Sequence, residues 1–348
     1  MKNGRADGQA VTLQHVGDRL GLSRTTISLA LRNHPRISAA TKKKVFAAAE
    51  QLGYQPDQVA RALATGRSSL IGVVVPNTTD HYYAEVFRGI EDAAQETGYH
   101  LLLSSGTHDP KQGEARIRDL VRLKVAGVIA APPFTAENGP IPRFWKQLSN
   151  EGFPVVLINR ELNPPLFHQV SIDNKGGIRM AVETLARLGH KRVAYISGTP
   201  AVIPIQQRLQ AFQECAAQYG LDADAGLIDE SPHNVRGGYE SCARLWSRLR
   251  KKPTAILVFS DAPSLGVLRF LHENKIGVPE KVSVLGFDGT DSSEFSLISL
   301  STVATPMYEM GMQAFRLLEK TMNQHYTRPQ SVLLPVRLEM RESVGQCP

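Results

Sequence analysis

The first fifty residues alternate apolar and polar positions with the period of short helices. Apolar side chains recur at helical spacing over Leu13–Leu20, with Thr12 as N-cap and Gly21 as the helix stop. Ser23 begins a second predicted helix, which continues to about Leu31. A tight turn between two short helices is typical of a helix-turn-helix motif.

A third helix is predicted from Ser38, as its N-cap, to Leu52, where Gly53 ends it. The polar stretch 33–36 separates this helix from the second one. Three short helices of this kind form a small all-α unit, and we assign residues 1–56 to such a headpiece.

The next segment, residues 54–66, carries the signals of one further short helix. Pro56 and Asp57 favour its start and Gly66 favours its end. A helix of about two turns is unstable by itself in water, because its nucleation is costly. We therefore expect residues 57–68 to be a hinge or linker that becomes helical only against a partner.

From residue 69 onward, short apolar runs alternate with amphipathic segments. The run Ile71–Val75 is nearly continuous in apolar residues, as in a strand buried in a parallel sheet. Further strands are predicted at 101–103, 127–130, 155–158, 192–196, 227–228, 255–259, 282–287 and Ser331–Met340, and helices at 82–97, 113–123, 144–151, 175–188, 208–219, 238–250, 264–273 and 307–322. This alternation predicts an α/β body of two parallel-sheet subdomains over residues 69–348.

The excess positive charge is confined to the N-terminal segment. The net charge is +7, and residues 1–67 carry all of it, with eleven Lys and Arg against four Asp and Glu. Such an asymmetry indicates a polyanion-binding module joined to a neutral body. The segment also has regularly spaced apolar residues, which a solvated basic tail would lack.

The second predicted helix has the composition of a DNA-reading helix. A helix that enters a major groove about 12 Å wide must be slim, and Ser and Thr at its start can bond base edges or phosphates. Arg24 and Arg32 flank this helix and can reach guanine edges or the backbone. The three consecutive lysines at 42–44 cannot all lie on one face of the third helix. They are either in contact with phosphates or simply exposed to solvent, and the sequence leaves both interpretations open. The other candidate DNA-binding residues are Thr12, Ser23, Thr25, Thr26, Ser28, Asn33 and Ser38.

Other function classes lack their motifs. GxSxG, GxxxxGK[ST] and HExxH are absent and the histidines are scattered, so no enzyme is expected. Cys215, Cys242 and Cys347 lie far apart without a CxxC, so neither a disulfide framework, nor a metal site, nor a cofactor is expected. No apolar run approaches the roughly 18 residues of a membrane span, and the start has no secretory signal. We therefore expect a cytoplasmic protein without a membrane partner.

Polar side chains follow the predicted strands of the body. Ligands of open α/β sheets bind beyond the carboxyl ends of the strands, and with two sheets the cleft between them is the default site. An aspartate and an arginine can bond vicinal hydroxyls there, and a tyrosine can stack on a sugar or base. Tyr82 and Tyr83 also begin a helix, so core packing is an alternative role for them, and Asp261 is expected to cap its helix. The polar groups at these ends are Asn77, Asp80, Asn159, Arg160, Ser260, Asp261 and Asp288.

The run VTLQHVGDRLGLSRTTISLALRNHPRISAATKKKVFAAAEQLGYQPDQVARALATGRSSLIGVVVP resembles the start of a lac repressor (LacI/GalR) family transcription regulator. The resemblance extends more loosely through the body to about Met340. It implies that the second helix reads bases and that the hinge helix folds on the operator. It also implies that Leu63 in VARALA is wedged into the minor groove and kinks the duplex. Leu29 and Arg32 stand where the family often has Arg and Asn, so a different operator sequence is expected.

The body resembles the periplasmic-binding-protein-like sensor of the same family. By this resemblance, Arg208 in QRLQAF and Asp288 in LGFDG hold the effector. Gln206 stands where an arginine is common, so the effector is expected to be less anionic or differently bound. The candidate effector-binding residues are Asn77, Tyr82, Tyr83, Arg208, His233, Ser260 and Asp288.

The expected function is a repressor that binds double-stranded operator DNA as a homodimer and responds to a small-molecule effector. The effector, a sugar or a sugar derivative, is expected between the two subdomains. A regulator that depends on a corepressor or a protein partner is the alternative, and a solute-binding protein would have no use for a basic head. No leucine heptad follows the last strand, so a coiled-coil tetramer is not expected.

Overall fold

A computed structural model describes residues 11–31, 33–54, 68–105, 109–131, 141–162, 164–200, 202–222, 224–324 and 328–348. The chain forms two compact units, Met1–Ser68 and Ser69–Pro348. The expectations for Arg32, for Leu63 and for a helix within 57–66 fall outside the described residues.

The N-terminal unit contains three helices, which are α1 (Leu13–Leu20), α2 (Arg24–Leu31) and α3 (Ala39–Leu52). Their apolar faces meet in a small core in which Val16, Ile27 and Val45 are fully buried. Burial of each such side chain contributes about 1.5–3 kcal/mol, which is what holds three short helices together. Gly21 and Gly53 end α1 and α3 with φ values of 65° and 68°, as the sequence predicts.

The C-terminal unit has two α/β lobes, and the first is built on a parallel sheet. Its strands are β1 (Leu70–Val75), β2 (His100–Ser105), β3 (Gly127–Ala130), β4 (Val155–Ile158), β5 (His168–Ile172) and β11 (Ser331–Leu334). They lie in the order β11-β5-β4-β3-β1-β2. Its helices are α4 (His81–Gln95), α5 (Pro110–Arg122), α6 (Arg143–Asn150) and α12 (Met307–Asn323). The pair α4 and α12 packs on one face of the sheet, and α5 and α6 pack on the other.

The second lobe repeats this plan. Its strands are β6 (Val193–Ser197), β7 (Ile228–Glu230), β8 (Ala255–Val258), β9 (Ser283–Asp288), β10 (Ser301–Ala304) and β12 (Arg337–Glu339). They lie in the order β12-β10-β9-β8-β6-β7, and only β12 runs antiparallel to its neighbour among these described strands. Its helices are α7 (Asn174–Arg187), α8 (Ile203–Gln218), α9 (Val235–Arg248), α10 (Asp261–Glu273) and the short α11 (Asp291–Glu294), with a 3₁₀ turn at Ala225–Leu227.

Three described segments carry the chain between the lobes. They join β5 to α7, β10 to α12, and β11 to β12. These crossing segments lie side by side at the ends of the two sheets, since β5 pairs with β11 and β10 pairs with β12. The lobes are therefore connected by short strands of chain, an arrangement that permits hinge motion.

Several elements differ from their predicted bounds. The predicted strand Ser331–Met340 is two strands in different sheets, because Pro335 lacks the N–H that a continuous ladder needs. Helix α8 begins at Ile203 rather than at Arg208, and Pro204 in its first turn is a favourable position for proline. Strands β5 and β10 were not predicted, because their sequences HQVSI and STVA carry polar residues, which the fold nevertheless buries.

Helices α9 and α10 approach each other closely in the second lobe. A Cβ atom on Gly238 would lie 1.9 Å from the carbonyl oxygen of Pro263. A Cβ atom on Gly266 would lie 1.9 Å from the carbonyl oxygen of Val235. This crossing therefore requires glycine on both helices, and it places the first turns of α9 and α10 side by side.

None of the described helices is both long enough and apolar enough to cross a bilayer. The described residues also contain no cluster of three or more His, Cys, Asp or Glu side chains arranged for a metal ion.

Candidate functional site

A cavity of about 500 Å³ lies between the two lobes, at the carboxyl ends of the central strands. This volume is in the range of sites for small molecules. All seven residues predicted to bind an effector line it: Asn77, Tyr82, Tyr83, Arg208, His233, Ser260 and Asp288. The first three come from the first lobe and the other four from the second, so a molecule in the cavity would contact both lobes.

Arg208 is held in one orientation by its neighbours. Its Nε donates to the Oδ1 of Asn174 at 2.8 Å, and its Nη1 donates to the carbonyl oxygen of Phe259 at 2.5 Å. The guanidinium also lies 3.5 Å from the ring centroid of Phe287, a cation–π contact. A fixed guanidinium of this kind can recognise paired oxygens on a ligand, because its donors form a rigid fork.

Asp288 is the last residue of β9 and has an unusual backbone, with a φ of 130°. Its Oδ2 accepts from the Ser260 hydroxyl at 2.5 Å, and its Oδ1 lies 3.7 Å from Nη1 of Arg208. Burial raises the pKa of Asp288 from 3.8 to about 7, although Arg208 acts in the opposite direction. A carboxyl group in this condition can either accept or donate a hydrogen bond to a ligand hydroxyl near neutral pH.

Tyr82 and Tyr83 are both buried at the start of α4, and their rings meet edge to face with centroids 5.1 Å apart. The hydroxyl of Tyr82 donates to the sulfur of Met310 at 3.6 Å. Burial raises the pKa values of both phenols, so they are neutral in the working range. Both tyrosines are thus packed in the core and also line the cavity.

Asn159 directly follows β4 and contributes a further polar group to the cavity. It has a positive φ of 50°, and its side-chain oxygen is buried without a hydrogen-bond partner in the described structure. An unsatisfied buried acceptor costs free energy, which a donor on a ligand would recover.

Asp80 and His233 extend across the cavity from opposite lobes. The Oδ2 of Asp80, in the turn after β1, lies 3.2 Å from the Nδ1 of His233, which follows β7. The Nε2 of His233 lies 2.7 Å from the hydroxyl of Ser260. Asp80, Asn159 and Arg160 stood out in the sequence as polar groups at strand ends, and all of them line the cavity.

Asp261 does not cap its own helix, contrary to expectation. Its carboxylate accepts from the amides of Gly289 and Thr290, both at 2.9 Å, and from the hydroxyl of Thr302 at 2.7 Å. The side chain points toward the neighbouring strands rather than along α10, so it fixes the turn that follows Asp288.

Some lining residues were not predicted because the start of α8 was placed too late. Val202, Pro204 and Ile205 surround this start, and Pro204 at the first turn of a helix was the available signal. The remaining lining residues are Thr199, Pro232, Asn234 and Phe259, which follow strands β6, β7 and β8 in short turns.

The described residues among those predicted to read DNA divide into helix caps, exposed residues and half-buried residues. The Ser23 and Ser38 hydroxyls accept from the amides of Thr26 and Thr41, at 3.1 and 3.2 Å, so these serines cap α2 and α3. Arg24 and Thr25 are exposed at the start of α2. Thr12 and Asn33 are also exposed, whereas Thr26 and Ser28 are half-buried.

Two family models match the chain. Residues 12–57 match the model of bacterial regulatory proteins of the lacI family, and residues 182–344 match a periplasmic binding protein-like domain. Catabolite control protein A of Priestia megaterium is 31% identical over 334 residues, covering 96% of this chain and 99% of that protein. The HTH-type transcriptional repressor CytR of Escherichia coli K12 is 30% identical over 348 residues, covering 97% of this chain and 98% of that protein.

Solved structures share the same architecture. The lac repressor dimer bound to operator and the anti-inducer ONPF superposes with a TM-score of 0.86 at 24% identity, over 97% of this chain and 100% of that chain. A complex of the transcriptional regulator CelR with cellobiose superposes with a TM-score of 0.70 at 27% identity, over 96% of this chain and 99% of that one.

Proposed function

Because the chain belongs to the lacI family of bacterial regulatory proteins, we propose that it is a repressor whose operator affinity is set by a small polyhydroxylated effector. The chain is a sequence-specific DNA-binding transcription regulator with an effector-binding domain. The proposal adds the sign of regulation, the effector class and the residues that perform each task.

The DNA-binding task is assigned to the N-terminal unit. Arg24 and Thr25, exposed at the start of α2, are positioned to contact base edges or phosphates in a major groove. The lac repressor binds its operator as a dimer, and we assign the same twofold arrangement to this chain. Because operator DNA is the proposed target, the proposed site of action is the cytoplasm.

The effector half of the proposal rests on the convergence of Arg208, Asp288 and Asn159 in one cavity. A fixed guanidinium, a carboxyl group and a buried amide oxygen without a partner together offer donors and acceptors to adjacent hydroxyls. Tyr82 and Phe259 supply flat apolar walls. The related CelR is known in complex with cellobiose, which supports a sugar as the effector class.

We propose that the cavity binds without catalysing, although Ser260, His233 and Asp80 stand in the order of a hydrolase triad. In a triad the serine hydroxyl donates to a neutral imidazole. Here the Ser260 hydroxyl donates to the carboxylate form of Asp288 at 2.5 Å, so in that form its hydrogen is directed away from His233. The imidazole of His233 then donates to the Ser260 oxygen, and the Ser260 hydroxyl offers His233 no proton to abstract.

A thermal-shift screen on the full chain tests the effector class. The panel contains cellobiose, ribose, nucleosides and sugar phosphates, and a ligand present at 100 times its Kd should add about 2.7 kcal/mol of stability. The same shift should disappear in Asp288→Asn and persist in the matched control Asp291→Asn, which alters an exposed carboxylate nearby.

Operator binding gives the sign of regulation. Duplexes selected from a random pool by the full chain should be twofold-symmetric, and the ligand found in the screen should release them. A ligand that tightens binding would instead indicate a corepressor, and failure to select any duplex at low salt would refute the DNA-binding assignment.

A further inference from the structure

The Asp80–His233 contact is a polar bridge between the two lobes, which are also joined by the crossing segments and by Ile203 at the start of α8, buried in the apolar cluster of the first lobe. Asp80 belongs to the first lobe, where its Oδ1 also accepts from the amide of Tyr82 at 3.0 Å and caps α4. His233 belongs to the second lobe and has its ring 5.4 Å from that of Phe259. Both side chains are largely buried, with 11% and 29% of their surfaces exposed. Rotation of one lobe away from the other would separate these two side chains.

The contacts around His233 form a chain that needs a protonated ring when both neighbouring carboxylates are ionised. Three contacts link Asp80, His233, Ser260 and Asp288, at 3.2, 2.7 and 2.5 Å. Each contact needs one hydrogen, and the Ser260 hydroxyl supplies one of them. The imidazolium supplies the other two, because both of its ring nitrogens are donors. Once Asp288 is ionised, above its pKa of about 7, a neutral ring would leave two hydrogens for three contacts. All three contacts then persist only while His233 keeps its proton.

The charges around the ring favour this protonated form. Burial acts against the charged ring, but the hydrogen bond and charge of Asp80, with a further contribution from Asp288, outweigh burial and raise the pKa of His233 above 6.5. Arg208 on α8 acts in the opposite direction. Burial acts against the Asp80 carboxylate as well, but the hydrogen bond and charge of His233 leave the pKa of Asp80 below its ordinary value of 3.8.

We propose that Asp80 and His233 form a proton-controlled clasp, in which protonated His233 holds the two lobes together and loss of its proton releases them. The clasp gives this regulator an input, the proton, in addition to whatever molecule occupies the cavity. It does not depend on the identity or even the existence of an effector, since both partners belong to the chain itself.

The sign of the pH effect follows from the two groups. The pKa of His233 is raised in the clasped form, so its contribution is present below pH 6.5 and is lost as the pH rises through the raised pKa. The pKa of Asp80 is lowered, so its contribution is lost only as the pH falls below its ordinary value of 3.8. The clasp is therefore strongest in mildly acidic solution and weakens through neutral to alkaline pH.

The interlobe distance in the full chain tests the proposal. Spin labels are placed on exposed positions of the two lobes, by Lys111→Cys in α5 and Arg236→Cys in α9, in a Cys347→Ser background. Distance distributions are then recorded by pulsed electron resonance at pH 5.5 and pH 8.5. The ratio of short to long distances should fall about tenfold for each unit by which the clasp raises the pKa of His233.

Three variants isolate the clasp. His233→Gln should remove the pH response, and Asp80→Asn should remove it too, although Asp288 stays in place on the second lobe. His272→Gln removes an exposed imidazole from α10 and should keep the response of the parent chain. An unchanged distribution between the two pH values in the parent, or a response that persists in His233→Gln, would overturn the proposal.

A second measurement covers the case in which a variant does not fold. Histidine ring spectra of the unaltered chain should contain one signal that titrates above pH 6.5, assigned to His233 by its proximity to the ring of Phe259. If every ring titrates at or below 6.5, the clasp does not exist.

Discussion

Replacing Asp288 by asparagine is expected to stabilise the second lobe at neutral pH while removing the response to an effector. The carboxyl group is buried, and its pKa is raised from 3.8 to about 7 by that burial. Each tenfold change in proton affinity corresponds to about 1.4 kcal/mol, so the ionised carboxylate costs roughly 4 kcal/mol of folding free energy at pH 8. Asparagine keeps an oxygen for the Ser260 hydroxyl but carries no charge, so this cost is absent from the variant.

The pH dependence of the gain follows from the same shift. Between pH 3.8 and about 7 the folded chain keeps a proton on Asp288 that the unfolded chain releases, so the native protein loses stability as the pH rises. The variant has no such loss. The free energy of unfolding of the variant should equal that of the parent chain near pH 4. It should exceed it by about 3–4 kcal/mol between pH 7 and 8, and this difference should then stay constant.

Urea unfolding of the full chain at several pH values measures this difference. Asp291→Asn, which neutralises an exposed carboxylate just beyond the same strand, should show no comparable gain. If Asp288→Asn is less stable than the parent chain at pH 8, or if its advantage does not change with pH, then burial does not control this carboxyl group. A sugar that still stabilises the variant would show that Asp288 does not bind it.

Four further outcomes are expected. Arg24→Gln should weaken operator binding and lower the slope of log affinity against log salt by about one, and an unchanged slope would exclude a phosphate contact. Leu63→Ala should reduce DNA bending in gel-shift phasing assays while effector affinity stays the same. Gly266→Ala should lower the free energy of unfolding by about 1–3 kcal/mol, because the new Cβ meets the Val235 carbonyl oxygen at 1.9 Å. The chain should hydrolyse p-nitrophenyl acetate no faster than Ser260→Ala does, and a burst that depends on Ser260 would contradict the binding-only role.

Features that depend on neighbouring residues were predictable from the sequence. The caps Ser23 and Ser38 and the stops Gly21 and Gly53 act over a single helical turn, and the structure places each of them at its predicted helix end. The α/β alternation was equally visible, because a strand buried on both faces has to be apolar along its length. The likeness of the headpiece sequence to the lacI family was confirmed by the comparisons.

Features that depend on tertiary packing were not predictable. Strand β5 buries His168 and Gln169, whose polar groups find partners in the neighbouring strand and loop, so its sequence resembles that of a loop. The Asp261 carboxylate bonds amides of another turn, which no local rule indicates. The pairing of Asp80 with His233 joins two lobes, and only the folded arrangement brings them together.

The cavity retains features that weaken the isolated chain, and this explains how ligand binding and operator binding could be coupled. The positive φ of Asp288 and the unpartnered oxygen of Asn159 each cost about 1–3 kcal/mol. A polyhydroxylated ligand that bonds both residues, which belong to opposite lobes, recovers the cost of the Asn159 oxygen, whereas the φ of Asp288 belongs to the backbone and is unchanged by a bond to its side chain. The recovered free energy is then available only in the arrangement that brings Asn159 and Asp288 to the same ligand. Such a preference for one arrangement of the lobes needs to reach only about 1–3 kcal/mol to shift operator affinity, which is the cost of one unsatisfied buried oxygen.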